Sequence, residues 1–416
     1  MSEEAHSLKR VVGLPGAVLL GLGSILGTGV FVSIGLAAGV TGSSVLLATL
    51  IAGALAAFNG LSSAQLAAAH PVSGGTYEYG YRFLTPALGF SAGWLFLCAK
   101  SASAATAALG VVSYALGAAS IDDAYTPALA LCLVGLVSGL VASGLRRSNR
   151  VNALLVFLTM ASLMTFVFAG VSANDAWPIL EFRAGEAGLL EASALMFVAF
   201  AGYGRIATLG EEVSEPRKTI PRAIIATLVV SAALYVAVAI AYVGTPDVPS
   251  GASLEVVARS MGWSGLHLVV AAGALLAMLG VLLNLLLGLS RVTLAMARRG
   301  DLPAPLGSLS EDAQPRAAVF FVGALVALLA AIGDVRTTWS FSAFMVLVYY
   351  ALTNLAALRL PPEHRLFPRW ISGLGFLVCV GLAFWVTPVI WAVGLALLAT
   401  GLVLRAIGHR LRARAT

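Results

Sequence analysis

The groups in this 416-residue chain that could do chemistry are mostly backbone. Gly21-Leu22-Gly23-Ser24-Ile25-Leu26-Gly27-Thr28-Gly29-Val30-Phe31 puts glycines and hydroxyl side chains in the middle of an apolar run from about 11 to 38. Each interior glycine costs a helix about 1 kcal/mol, and peptide groups released at membrane depth need other partners. Either Gly23 to Gly29 form an unwound strip whose amides and carbonyls face a bound molecule, or Gly23 and Gly27, four residues apart, only admit a neighbouring helix. A second interruption, Phe200-Ala201-Gly202-Tyr203-Gly204, favours the first reading.

Four side chains stand out against the apolar background. Lys100 lies near the middle of Trp94-Leu95-Phe96-Leu97-Cys98-Ala99-Lys100-Ser101-Ala102-Ser103, too deep to reach either surface easily. A charge at the bilayer centre costs about 2.5–3.5 kcal/mol on insertion scales, so it faces a cavity or a partner. It is either a proton carrier or an ammonium held by carbonyls of a broken helix. Arg205 stays charged in any protein. It is a carboxylate clamp, or a counter-ion to Glu211 or Glu212. Asn284 and Thr159 could help hold sodium, or could serve as interhelical hydrogen-bonding groups. No metal centre or cofactor is expected: His6, His70, His267, His364 and His409 lack ligand spacing, and no glycine-rich phosphate loop occurs.

The elements that must position these groups follow from composition. With 59% hydrophobic and 11% charged residues and a mean hydropathy of +0.94, too few charges exist to cover a soluble surface. The chain is read as an all-α polytopic membrane protein with twelve spans, near 11–38, 43–69, 86–118, 125–145, 151–172, 189–210, 220–243, 264–298, 316–333, 335–358, 369–386 and 388–407. Cys98, Cys132 and Cys379 lie in apolar runs and point to no disulfide. Placing both termini in the cytoplasm puts every Lys and Arg on that side except Arg183, Arg259 and Arg336 and the intramembrane Lys100 and Arg205. Lys9, Arg10, Arg146, Arg147 and Arg414 belong to that basic side, as the positive-inside rule requires. The net charge of +6 therefore needs no nucleic-acid partner.

Two inner loops carry further signals. His70-Pro71-Val72-Ser73-Gly74-Gly75-Thr76-Tyr77-Glu78-Tyr79 reads as a re-entrant loop or short helix, serving as a gate or as an ordered connector. Gly210 to Arg222 packs acids and bases around Pro216 and Pro221, either a salt-bridge latch to other loops or a solvated link. Beyond Arg369 at its edge, the last two spans carry no charged residue before Arg405 and read as peripheral.

At these residues the chain resembles the amino acid-polyamine-organocation superfamily of secondary transporters: Gly21 to Phe31, Pro71 to Tyr79, Phe200 to Pro221, Ser290-Arg291 and Ala297 to Pro303 match in order. Within it, Ile206-Ala207-Thr208-Leu209-Gly210-Glu211-Glu212-Val213 is most similar to the cationic amino acid transporters and their bacterial relatives. The resemblance implies a five-plus-five inverted repeat, 1–172 against 189–358, with 369–407 peripheral, all within one transmembrane domain over 1–416. It implies a substrate held between the broken first and sixth spans. Ser24, Gly27, Thr28 and Gly29 would face its carboxylate, while Gly23, Ile25, Phe200, Ala201 and Tyr203 would supply carbonyls or walls around the Gly202 break. A helix N-terminus favours an anion there.

Two departures qualify the resemblance. Thr159 fills the span-five position of a lysine found in several proton-dependent relatives, so a different coupling device is required, or none; Lys100 is the candidate for that role. Gly204 then Arg205 stand where the cationic carriers have an acid, which argues against arginine, lysine or polyamine substrates. The expectation is a secondary active carrier of a small amino acid, neutral rather than basic, in a bacterial inner (plasma) membrane. It would work by alternating access with a proton, or else sodium, as coupling ion. The alternatives are a carrier of an acidic amino acid or organic amine, or a transport-inactive sensor. No catalytic constellation is present, so an enzyme is not expected.

Overall fold

The computed structural model describes residues 12–72, 74–144, 149–172, 185–208, 210–312 and 314–413. The readings on His6, Lys9, Arg10, Ser73, Arg146, Arg147, Arg183, Leu209 and Arg414 lie outside the described residues, as do those on the side chains of His409 and Arg412. The described chain is helical: α1 (Leu14–Ile25), α2 (Thr28–Thr41), α3 (Val45–Ala69), α4 (Thr76–Phe83), α5 (Pro86–Ala119), α6 (Thr126–Ala142), α7 (Asn149–Ser172) and α8 (Glu186–Phe200) form the first half. The second comprises α9 (Gly204–Ala207), α10 (Pro216–Gly244), α11 (Leu254–Ser260), α12 (Leu266–Arg299), α13 (Arg316–Ile332), α14 (Val335–Leu358), α15 (Arg369–Ala383) and α16 (Pro388–Ala413). Nine candidate spans among the described residues are long and apolar enough to cross a membrane, and Leu14–Ile25, Arg316–Ile332 and Arg369–Ala383 are shorter apolar helices.

Local chemistry sets the helix ends. Pro86 opens α5 behind Thr85, whose Oγ1 accepts from the Leu88 amide at 3.3 Å, a standard N-cap. Asp334 caps α14 through Thr337 N at 2.6 Å. Gly300, at φ +87, closes α12 and returns its amide to the last carbonyls of the helix, a turn that favours glycine. The loop read as a gate or connector contains the short helix α4.

Small residues bring the helices together. α5 lies between α12 and α14, and its Ala99, Ala102, Ala104, Ala105, Ala107 and Ala108 are all buried. Without a hydrophobic driving force in lipid, such close approach and interhelical hydrogen bonds hold spans together. Ser103 and Ser342 hydroxyls meet at 2.7 Å, and Thr106 donates to Thr338 at 2.8 Å. α15, read as peripheral, is tied in by a buried polar chain: Asn354 donates to Asn59 Oδ1, Asn59 to Cys379 Sγ at 3.2 Å, and Ser62 meets Ser372 at 2.8 Å.

The two interruptions differ from the sequence expectation. The unwound strip Gly23 to Gly29 shrinks to Leu26 and Gly27, because α1 holds its hydrogen bonds through Leu26 N to Leu22 O at 2.7 Å and α2 restarts at Thr28. The second interruption is not unwound. Ala201–Tyr203 tighten into a 3-10 turn between α8 and α9, which keeps the chain helical while changing which carbonyls are bonded.

Candidate functional site

α2 crosses α8 where Gly29 meets Ala199: a Cβ on Gly29 would lie 2.8 Å from the Ala199 Cα. One turn on, Gly202 sits against the other break, and a Cβ there would collide with the Ser24 carbonyl and lie 2.7 Å from the Ile25 nitrogen. The two interruptions are therefore in backbone contact. Tyr235 of α10 staples them, its hydroxyl placed 2.8 Å from the Ile25 carbonyl and 3.3 Å from that of Ala199. Tyr350 of α14 donates to the Ala201 carbonyl at 3.0 Å.

A cavity of about 570 Å³ opens beside this contact. Ser24 of α1, Ala201 and Gly202 of the tightened turn, and Arg205 of α9 form one wall; Phe96 and Lys100 of α5 form another. Val281, Asn284, Leu285, Gly288, Arg291 and Val292 of α12 face them, with Tyr349 and Tyr350 of α14 alongside. Gly74, Glu78 and Glu212 line it at the end of the molecule that carries the basic loops.

The structure brings Ser24, Lys100, Ala201, Gly202, Arg205 and Asn284 to one cavity. It places the other candidates behind it. Gly23 fits under the Asn152 amide, whose Nδ2 donates to Leu19 O at 2.9 Å, and Gly27 fits against Val281. Gly27 is needed for space, since its φ of −169° is extended. Ile25 is buried, as is Thr28, whose Oγ1 makes no hydrogen bond among the described residues. Phe200 packs on Tyr235 with ring centroids 4.9 Å apart, and Tyr203 on Tyr350 at 5.3 Å. Thr159 is buried in α7 and is not among the cavity-lining residues.

Sequence reading missed Phe96, Tyr349, Tyr350, Tyr235 and Asn152 as parts of this assembly. A helical spacing signal existed for some. Phe96 stands four residues before Lys100, and Asn284, Gly288 and Arg291 recur at four and three residues, which is one helix face.

The charges divide sharply. Arg205 and Glu212 share the wall without forming an ion pair, and Lys100 has no hydrogen bond or ion pair among the described residues. Glu78 is taken by Arg299 at 2.9 Å. Within 210–222, Lys218 pairs with Glu215, both well exposed, and the Glu212 carbonyl accepts from Val12 N at 3.0 Å. A denser set of contacts is on α4. Tyr77 and Tyr81 donate to Asp301 Oδ2 at 2.8 and 2.6 Å, Arg405 of α16 reaches Oδ1 at 3.1 Å, and Arg299 stacks 4.3 Å over the Tyr81 ring. Burial first, then the bond to Asp301, pushes the Tyr81 phenol up to about 12.

At the other end a smaller cavity of about 240 Å³ is lined by Phe31, Gly35, Tyr114, Gly251 and Glu255 among others. There α2 is pressed against the loop before α11, for a Cβ on Gly35 would lie 2.6 Å from Ala252 O. Glu255 and Arg259 pair at 2.6 Å, and Arg259 also donates to Gly117 O at 2.9 Å.

Comparison with known proteins agrees with this architecture. Residues 16–410 match the amino acid permease family. A transporter of Mycobacterium tuberculosis is 40% identical over 402 residues, covering 95% of this chain and 90% of that protein. The branched-chain amino acid permease BcaP of Bacillus subtilis is 28% identical, covering 92% and 90%. A vacuolar cationic amino acid transporter of Arabidopsis thaliana is 26% identical, covering 87% of this chain and 62% of its own length. These relatives are carriers rather than enzymes, and the chain, helical throughout its described residues and spanning the membrane several times, belongs to the amino acid permease family.

Proposed function

We propose that this protein is a secondary active transporter of a small, non-cationic α-amino acid, moving it by alternating access. The observation that carries this reading is the cavity beside the Ser24–Gly202 contact, where two interrupted helices meet at the backbone. The first amides of α2, behind the Ser24 wall, have no acceptor within their own helix and carry the positive end of its dipole, which favours a carboxylate on the cavity side. The cations Lys100, Arg205 and Arg291 on the walls disfavour a cationic side chain.

The twelve-span, inverted-repeat architecture belongs to the same proposal: 1–172 and 189–358 as repeats and 369–407 outside them. Helix contacts support it. Exchanging the two repeats maps α3 on α10, α5 on α12 and α6 on α13 onto themselves, and maps α7 on α12 onto α14 on α5. Both termini are assigned to the cytoplasm of a bacterial inner membrane, on the basic side. The cavity then faces inward; Phe200 and Tyr203 are buried, and Phe31 lines the cavity at the opposite end.

Proton coupling is assigned to Lys100, the unpaired amine on the cavity wall, with sodium as the competing coupling ion. Thermal-shift screening of the purified protein against amino acids tests the substrate reading: a ligand at 100 times its Kd adds about 2.7 kcal/mol, and a flat response to every amino acid would reject it. In liposomes under an imposed proton gradient, Lys100→Met should lose the pH dependence of uptake. Uptake with an unchanged pH profile would remove Lys100 from coupling.

A further inference from the structure

Building on the reading of this cavity as an amino acid site, we propose that the substrate carries a second carboxylate and that Arg205 binds it. Arg205 is a permanent cation on the cavity wall, and Glu212, which lines the same wall, does not come close enough to form an ion pair with it. Glu78, another carboxylate of the cavity, already serves Arg299. Lys100 and Arg291 add further positive charge with no ion pair among the described residues. The cavity wall thus carries more cations than acids, and unpaired charge at membrane depth is costly unless function uses it.

The spacing agrees with the charge. Arg205 follows Gly202 by three residues, a rise of about 4.5–6 Å along an α or 3-10 helix, so its backbone is offset by about one turn from the Gly202 turn where the α-carboxylate and ammonium would sit. That offset suits the separation of the two carboxylates in aspartate or glutamate. A planar guanidinium accepts a carboxylate in bidentate fashion. The absence of a side chain at Gly204, where a Cβ would lie 2.8 Å from the Tyr350 hydroxyl, lets the turn close against α14 and leaves Arg205 as its side chain toward the cavity. A neutral substrate would leave the guanidinium without a partner, and a cationic one would add to the repulsion.

The test is binding of radiolabelled L-glutamate and L-aspartate to the full-length purified protein, in competition with L-glutamine, L-asparagine, L-leucine and L-arginine. Glutamate or aspartate should bind more tightly than its own amide by about tenfold or more, the worth of one charge-assisted pair. Arg205→Gln should bring acid and amide to within about twofold of each other, chiefly by weakening the acid, and Arg205→Lys should keep part of the preference. Melting of the unliganded variants reports whether they fold, and the acid-to-amide ratio of the wild-type protein tests the proposal even if they do not. Glutamine, asparagine or leucine binding as well as the acids would overturn the second-carboxylate proposal and leave the amino acid carrier standing. Acid preference that survives Arg205→Gln would overturn the role of Arg205. Binding of no amino acid at all would overturn both readings.

Discussion

Two charged regions lie near one another at the basic end, and they are built on opposite rules. Around Asp301 each charge is answered: Tyr77, Tyr81 and Arg405 all point at one buried carboxylate, and Arg299 is held by Glu78 and by two tyrosine faces. In the adjoining cavity Lys100, Arg205 and Arg291 form no ion pair among the described residues. The first arrangement fixes α4, α12 and α16 relative to one another. The second keeps charge available for something that arrives from outside. Both regions are rich in arginine, so residue type does not separate structural from functional charge; completeness of pairing does.

That contrast predicts unequal costs. Asp301→Ala should have the largest effect, about 3–5 kcal/mol, because it strands the partly buried Arg405 and two phenols; thermal unfolding in detergent measures it, and a melting temperature close to wild type would show that the cluster is not structural. Gly202→Ala comes next, at about 1–3 kcal/mol of overpacking, with uptake abolished because the new methyl displaces the Ser24 carbonyl. Normal uptake by that variant would mean that the two breaks need not touch.

Arg205→Gln should leave the unliganded stability within about 0.5 kcal/mol of wild type, or raise it, since no native partner is lost. A loss comparable to Asp301→Ala would erase the distinction between the two regions. The smallest effect is expected at His70, beside α4. Burial first, then the Arg82 guanidinium, holds this imidazole below its ordinary 6.5. A depressed histidine favours its neutral form in the folded state, so its contribution is present above the unfolded value and fades as pH falls through that value toward the folded one. His70→Gln should therefore flatten the acid side of the melting curve between about pH 7 and pH 5; an identical slope would exclude it.

Glycine positions show how far sequence reasoning reached and where it stopped. The breaks near Gly27 and Gly202 were visible as glycines inside apolar runs, because the cost of glycine in a helix is a local property. Their roles were not. Gly23 and Gly27 answer to Asn152 and Val281, and Gly202 answers to Ser24, all from distant parts of the chain. The strip expected over Gly23 to Gly29 narrowed to two residues because α1 and α2 each keep their own ladder. The second break stayed helical, tightened rather than opened.

Lys100 and Arg205 were likewise conspicuous from their apolar surroundings alone. Whether each had a partner depended on side chains brought in by other helices. The same holds for Arg405, separated from Asp301 by 104 positions and from Tyr81 by 324.

Composition, hydropathy and the placement of glycine and charge were enough to establish a helical membrane protein with interrupted spans, since each of these is a preference of a short segment for lipid, water or helix; the carrier type came from the motif resemblance. Tertiary packing alone decided which carbonyls are capped, which glycines face a cavity and which cations remain unanswered. Those outcomes depend on distances between segments that no local preference encodes.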